Sequence, residues 1–289
     1  MKAHEYILLK QIKWALNQGR ALMGSKGQRG RPTYASTLDQ NLFEPLEPEV
    51  RKSFERGDGN EINGNPDSPA KMQAVHSSSA MGVNIFHYWK KNGLVPEIAA
   101  ACGFCRKGNH ISQKIVFEDK YPIDGNRFRF APNIDVVIHN SDSVKVKRFA
   151  VECKFSEAYS SHGHSGLKEE YLKLNSIWDD IPSLHSLAKS ICPDDKKFLH
   201  LHPAQLIKHI LGLKTYFGKE GFRLLYFWYD VFGEEGVTHK KEIDTFVERT
   251  LADGIKFHAL SVQELIIALS NKYRSDHTEY VRYISGRYL

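Results

Sequence analysis

Two short apolar runs around a polar turn, within Pro132 to Phe155 (PNIDVVIHNSDSVKVKRFAVECKF), constrain this chain more than any other stretch. The first is Ile134-Asp135-Val136-Val137-Ile138, the second Phe149-Ala150-Val151-Glu152-Cys153-Lys154-Phe155. Between them, His139 to Val144 is rich in Asn, Ser and Asp, whose side chains bond nearby backbone and favour turns. The stretch therefore reads as an antiparallel hairpin. Each strand carries a carboxylate where the pattern expects an apolar residue. Side chains two apart on a strand share a face, so Glu152 and Lys154 stand side by side and Asp135 can face them from the neighbouring strand. Charges on a largely apolar hairpin need partners or a metal. Cys153, between Glu152 and Lys154, points to the opposite face, so only its backbone carbonyl could reach a metal held there.

The rest of the chain can build a core around this hairpin. Of its 289 residues 41% are hydrophobic, which fits one elaborated domain or a core with an appended domain. Forty Lys and Arg against 34 Asp and Glu, a formal charge of +6, permit a nucleic-acid or other anionic partner. No apolar run approaches the ~20 residues of a membrane span. The opening MKAHEYILLKQIKWALNQGR is too broken by charge for a secretory signal. Four cysteines do not make a disulfide scaffold in a chain this long, so reduced thiols and a cytoplasmic location are expected.

In order, Ile7, Leu8, Ile12 and Leu16 predict a first amphipathic helix. The following GRALMGSKGQRGRP interleaves glycines with Arg20, Lys26, Arg29 and Arg31, which suits either an arm along phosphates or a solvated loop. A weak helical stretch over 38–54 is broken by Pro45 and Pro48. The Gly, Asn, Asp and Pro of RGDGNEINGNPDSP then mark a border between an N-terminal helical extension, residues 1–66, and a core over 67–289. From Ala70 to Lys91 the spacing of Met72, Val75, Val83 and Phe86 predicts a helix, in which His76 to Ser79 would permit close approach to a sheet or a substrate. Residues 113–121 predict a strand carrying Glu118. After the hairpin, a loop-rich insertion spans about 156–202. Pro203 to Phe217 predicts a helix with Pro203 in its first turn and Gly218 as its stop. Phe222 to Tyr229 is apolar enough to be a strand buried on both faces. Helix, strand and helix follow over 240–251, 256–260 and 262–270, and a last helix over the tail. A meander followed by helix–strand units makes an α/β architecture with a mixed sheet.

Two carboxylates on adjacent strands can share a hard divalent cation, and Mg²⁺ takes oxygen ligands while keeping waters and substrate phosphate oxygens. Such an ion would ease ionisation of a water and stabilise charge on phosphate, while the Lys154 ammonium could orient that water. Other constellations are weaker. Cys102-Gly103-Phe104-Cys105 with His110 lacks the second ligand pair of structural zinc. His162-Gly163-His164 points to no particular chemistry, and a capping or surface role suffices for His200 and His202, which precede a helix. Without a Gly-x-x-x-x-Gly-Lys loop an ATP-driven motor is not expected, and no Gly-x-Ser-x-Gly elbow is present.

Asp135, sixteen residues, then Glu152-Cys153-Lys154 resembles the PD-(D/E)xK nuclease superfamily, with Asn133-Ile134-Asp135 in place of its loose Pro-Asp. More loosely, His76 to Ser79, Phe117-Glu118 and Gln205-Leu206 look like bacterial restriction-endonuclease-like proteins. The resemblance covers Ala70 to Asp230 and implies a restriction endonuclease-like αβββαβ core, its mixed central sheet flanked by helices. It implies Mg²⁺-dependent cleavage of DNA, expected to be double-stranded, with Mn²⁺ as a substitute. Asp135, Glu152 and the Cys153 carbonyl would hold the metal, and Lys154 would activate water. The superfamily often adds an acid on its first core helix, and Ala70 to Lys91 has none. Glu118 is the expected substitute, Glu97 a weaker one, and Gln205 a polar candidate near the site. Restriction or another defence role is expected, with a repair or recombination nuclease and an inactive DNA-binding module as alternatives. Two cuts per duplex point to a homodimer.

Overall fold

In a computed structural model, all residues are described except 25–31, 58, 66, 107, 110 and 161–163, together with the side chain of residue 175. The N-terminal part contains α1 (Ala3–Asn17), a two-stranded ribbon of β1 (Leu22–Met23) and β2 (Tyr34–Ala35), and α2 (Pro48–Arg56). Then come α3 (Ser78–Lys91), α4 (Val95–Ala101), β3 (Ser112–Lys120), β4 (Asn133–Asn140) and β5 (Arg148–Lys154). The insertion folds as α5 (Glu169–Leu172), α6 (Asn175–Trp178) and α7 (Pro182–Ser190). The chain finishes with α8 (Pro203–Phe217), β6 (Phe222–Trp228), α9 (Glu234–Ala252), β7 (Phe257–Ser261), α10 (Val262–Tyr273) and α11 (Thr278–Tyr288).

Five strands form one mixed sheet in the order β3-β4-β5-β6-β7. The short polar turn after β4 forces an antiparallel hairpin, while the long connections through α8 and α9 make β5, β6 and β7 parallel. One face of the sheet is covered by α1, α2, α3, α4, α10 and α11, the other by α7, α8, α9 and the apolar residues of the insertion. Each strand of the hairpin feeds both cores: Val151 and Cys153 face α3, and Ala150 lies in the core on the α8 side. Gly82 lets α3 settle onto that sheet face, because a Cβ there would stand 3.3 Å from the Cys153 sulfur.

Three differences from the sequence reading have local causes. The helix expected from Ala70 starts at Ser78, because the Ser77 hydroxyl caps it by accepting from the Ala80 N–H at 3.2 Å; Lys71–Gln73 is a separate 3₁₀ turn. The helix expected from Lys240 starts at Glu234, directly after Gly233 at φ 96°. The insertion is packed rather than open. Trp178, Ile181 and Leu184 are buried, and the Asp253 carboxylate accepts the Ser183 and Leu184 N–H groups at the start of α7.

The expected border between residues 66 and 67 is crossed by a single core, since Ile7, Leu42, Val50 and Phe54 pack in the same cluster as Val83 and Phe86. Arg287 ties the two ends of the chain together. It is fully buried and, among the described residues, has no carboxylate partner. Its guanidinium donates to Gln11 Oε1, to the Asn41 carbonyl and side chain, and to the Val75 carbonyl, and it lies 4.4 Å from the Trp14 ring centroid.

His239 is buried between two tyrosines on the α8 side. Tyr159 gives its proton to the Tyr229 carbonyl, so it accepts from His239 Nδ1–H at 3.1 Å, and Nε2 accepts from Tyr226 OH at 2.9 Å. The ring is thus held neutral, and burial pushes its pKa down to about 3. The unfolded chain, with histidine near its ordinary value, binds this proton first as pH falls below about 6.5. Stability is therefore lost as pH falls through that window. Between pH 7 and pH 5 the loss from this residue is about 2 kcal/mol. Urea denaturation at both pH values should show a smaller difference for His239→Gln than for wild type, even though the variant is less stable at pH 7.

Candidate active site

The β4–β5 ladder ends with Val136 paired to Val151, and the next residues outward are Asp135 and Glu152. There the side chain of Asp135 replaces the backbone partner, accepting the Cys153 N–H at 2.7 Å. Lys154, two residues beyond Glu152 on the same strand face, brings Nζ to 2.7 Å from Glu152 Oε1. From α8, His209 Nε2 stands 2.8 Å from Oε2. Glu152 is 1% exposed, so burial works against its charge; Lys154 and then His209 outweigh burial and hold its pKa down at about 2. Lys154 is pushed above its ordinary value, with burial opposed by Glu152, Glu157 and Asp135. Asp135 goes the other way: burial and then the charge of Glu152 push it well up.

A second pair of acids adjoins these. Glu118 on β3 lies opposite Asp135, flanked by the pairs Phe117–Val136 and Asp119–Ile134. Its backbone adopts φ 55°, a conformation that costs a non-glycine residue about 1–3 kcal/mol. The Asn133 amide donates to its Oε2. Burial, then Glu61, push its carboxyl up to about 7. Glu61 arrives from the loop after α2 and accepts the Ser79 hydroxyl of α3 at 3.0 Å. Burial raises its pKa too. Glu61 thus brings a carboxylate from outside the helix onto α3, which carries none of its own, at a residue small enough to receive it. Gly57 makes room for Glu118, since a Cβ there would lie 3.0 Å from Oε2.

Sequence reasoning missed Glu61 and His209. Glu61 sits in a turn-rich stretch with no periodicity to mark it. His209 had a signal, a histidine one turn beyond Gln205 on a helix whose Leu206, Ile210 and Leu213 are buried. Gln205 itself is half-buried, and its N–H bonds the His202 carbonyl at 3.1 Å. Glu97 is on α4, beside a separate cavity with Lys272 and Asp276. His202 does lie near the acids: it stacks on His164 at 4.6 Å, and burial, then His164 and Lys154, push its pKa down to about 4. His164 Nδ1 stands 3.5 Å from the buried Asp195 carboxylate. Arg20 lies over the Trp14 ring at 4.8 Å, while Lys26, Arg29, Arg31, His110 and His162 fall outside the described residues. All four cysteines are free, and Cys153 is sealed in the core facing α3.

Among the described residues no group of three or more His, Cys, Asp or Glu side chains forms a metal cluster. The donor set nevertheless suits a hard cation. Mg²⁺ commonly takes one or two carboxylates and completes its shell with water and phosphate oxygens. An ionised carboxylate has about four lone-pair positions, so Lys154 on Oε1 and His209 on Oε2 leave Glu152 able to accept more. The repulsion that raises Asp135 is of the kind a dication relieves. The chemistry open to this corner is that of oxygen ligands beside one ammonium, where the β4–β5 ladder ends.

In comparison with protein families, the model described as Restriction Endonuclease associating with ARP (REase-ARP) matches residues 9–289. No curated protein and no solved structure matches the chain.

His209→Ala should leave one oxygen of a buried carboxylate without its partner and cost about 1–3 kcal/mol in urea denaturation. His209→Gln, which can still donate to Oε2, should recover part of that loss.

Proposed function

The chain belongs to the restriction endonuclease family REase-ARP, and from that membership and the site's geometry we propose that it is a Mg²⁺-dependent PD-(D/E)xK endonuclease acting on double-stranded DNA. The observation that carries this reading is Asp135 across from Glu152, with the Lys154 ammonium 2.7 Å from Glu152. The element order α3, β3, β4, β5, α8, β6 supports an αβββαβ core around it.

In this reading Asp135, Glu152 and the Cys153 carbonyl hold the metal, with Glu118 as a further acid and Mn²⁺ as a substitute. When bound, the metal would supply a Lewis acid for the scissile phosphate and ease ionisation of the attacking water. The chain's own groups do the positioning. Glu152 fixes the Lys154 ammonium, which orients that water by hydrogen bonding and stays charged. His209 anchors the second oxygen of Glu152, so that the carboxylate cannot rotate away from the strand edge. Asp135, bonded to the Cys153 N–H, ties the ends of the two strands together beside Glu152. Glu61, bound to Ser79, takes the role of the absent acid on α3 and acts through its charge beside Glu118. Gln205, one turn before His209, remains a polar candidate, and Arg20, Lys26, Arg29 and Arg31 remain candidate phosphate contacts. A restriction or other defence role in a homodimer, in the cytoplasm, completes the proposal.

One observation favours a second reading. Glu152 is already matched by both Lys154 and His209, as would serve an inactive DNA-binding module held together by the same residues. A repair or recombination nuclease would share the active site and differ in its substrate. Plasmid cleavage separates these possibilities. Wild type should nick or cut only with Mg²⁺ or Mn²⁺, and Lys154→Ala and Asp135→Asn should each lower the rate about 100-fold or more. Variants cutting as fast as wild type would overturn the site assignment, and binding without cleavage in either metal would favour the inactive module. Discrete fragments would mark a sequence-specific enzyme, a smear one that reads DNA structure.

Metal binding has its own readout. Mg²⁺ should raise the thermal midpoint of wild type by linkage and leave that of Asp135→Asn nearly unmoved. Glu61→Gln should weaken the Mg²⁺ response about 10-fold without abolishing cleavage, the loss typical of an outer partner. A Glu61→Gln response equal to wild type would remove Glu61 from the site.

A further inference from the structure

Away from the acids, a cavity of about 450 Å³ opens between α7, α9 and the segment 197–199, a size ordinary for small-molecule sites. One wall is apolar. Leu187 and Phe198 are nearly buried there, whereas Leu199 is 67% exposed, an uncovered apolar side chain beside a ready-made hollow. The rim is cationic. Lys241 and Arg249 project from one stripe of α9 and Lys197 from the facing segment, and among the described residues none of the three is in an ion pair. Ser190 and Thr245 also line it, their hydroxyls donating to the Leu187 and Lys241 carbonyls.

The one carboxylate lining the cavity is already committed. Glu242 accepts the N–H groups of Leu199, His200 and Leu201 at 2.6, 2.9 and 2.8 Å. Glu242 keeps its negative charge, so three cations against one carboxylate leave the lining net positive, a field that concentrates anions. Apolar side chains and unpaired cations lining one cavity suit a ligand with an apolar end and a phosphorylated end.

We propose that this cavity binds a nucleotide-sized phosphorylated ligand, its apolar part against Leu187, Phe198 and Leu199 and its phosphates on Lys197, Lys241 and Arg249. The site is separate from the Asp135–Glu152 acids and stands whether or not those acids cut DNA. The missing Gly-x-x-x-x-Gly-Lys loop argues against a nucleotide-driven motor, not against a bound nucleotide. A ligand here would lie against the residues whose backbone Glu242 holds, and three residues beyond Leu199 the chain enters α8, which carries His209.

Isothermal titration with ATP and with tripolyphosphate as probes, in EDTA so that the acidic site contributes nothing, tests this. A short DNA duplex is titrated in parallel. ATP should bind wild type in the micromolar range and tripolyphosphate more weakly, because it offers nothing to the apolar wall. The double variant Lys241→Glu/Arg249→Glu should lose at least about tenfold in ATP affinity while keeping its thermal midpoint and its affinity for the duplex. No ATP binding to wild type, or equal binding to the folded variant, would overturn the proposal. So would loss of duplex affinity in the variant without nucleotide binding to wild type, since the cations would then be tracking a DNA backbone.

Discussion

A carboxylate that is 1% exposed, as Glu152 is, must be matched by charged or hydrogen-bonding partners or take up a proton. Its match comes from two directions, Lys154 along the same strand and His209 across from α8. Much of the architecture follows from making those two contacts at once. β5 must be central, so that Glu152 is covered; α8 must cross that face at close range; and β6 must run parallel beside β5, because the chain leaving α8 re-enters the sheet from the same end as β5. Removing either partner would leave the other facing a buried anion with only half its compensation. The remaining carboxylates are treated differently. Asp135 and Glu118 stay poorly matched and are pushed up in pKa, which concentrates unfavourable repulsion at one sheet edge.

The hairpin and its charges were legible in the sequence because strands declare themselves by alternation and because Asp, Glu and Lys violate that alternation visibly. The strand Phe222–Trp228 and the helix Pro203–Phe217 were legible for similar reasons, one by unbroken apolarity and one by Pro at its start and Gly at its end. The start of α3 was misplaced because apolar spacing continues upstream through Met72 and Val75, and only the Ser77 cap, a local hydrogen bond, decides where the helix begins. Glu61 was invisible for a deeper reason. Its role depends on a loop with no period folding back onto α3 and β3, and nothing in the sequence marks that tertiary contact.

That same contact changes how the N-terminal part is understood. Composition marks 57–69 as a border, yet Arg287 reaches back from the last helix to Gln11, Asn41 and Val75. A buried guanidinium satisfied by carbonyls and an aromatic face rather than by a carboxylate has many short, directional bonds to lose and no single partner to lose them to. Gln11 and Asn41 are thereby held to the last helix, and Glu61, carried in the loop after α2, is held to α3 through Ser79. A turn-rich segment need not be a hinge when its two flanks are clamped to the same core.

Clamping also bears on how the two halves of the α8 face could communicate. Glu242 binds three consecutive backbone N–H groups just ahead of α8, and α8 presents His209 to Glu152 seven residues after its entry at His202. A helix moves largely as a unit, because its own backbone bonds are cooperative. A shift in the anchored segment 199–201 would therefore appear as a displacement of His209 against a carboxylate that tolerates little. One end of α8 is thus held by a group lining the cationic cavity, and a point two turns along the helix holds the buried anion of the candidate active site.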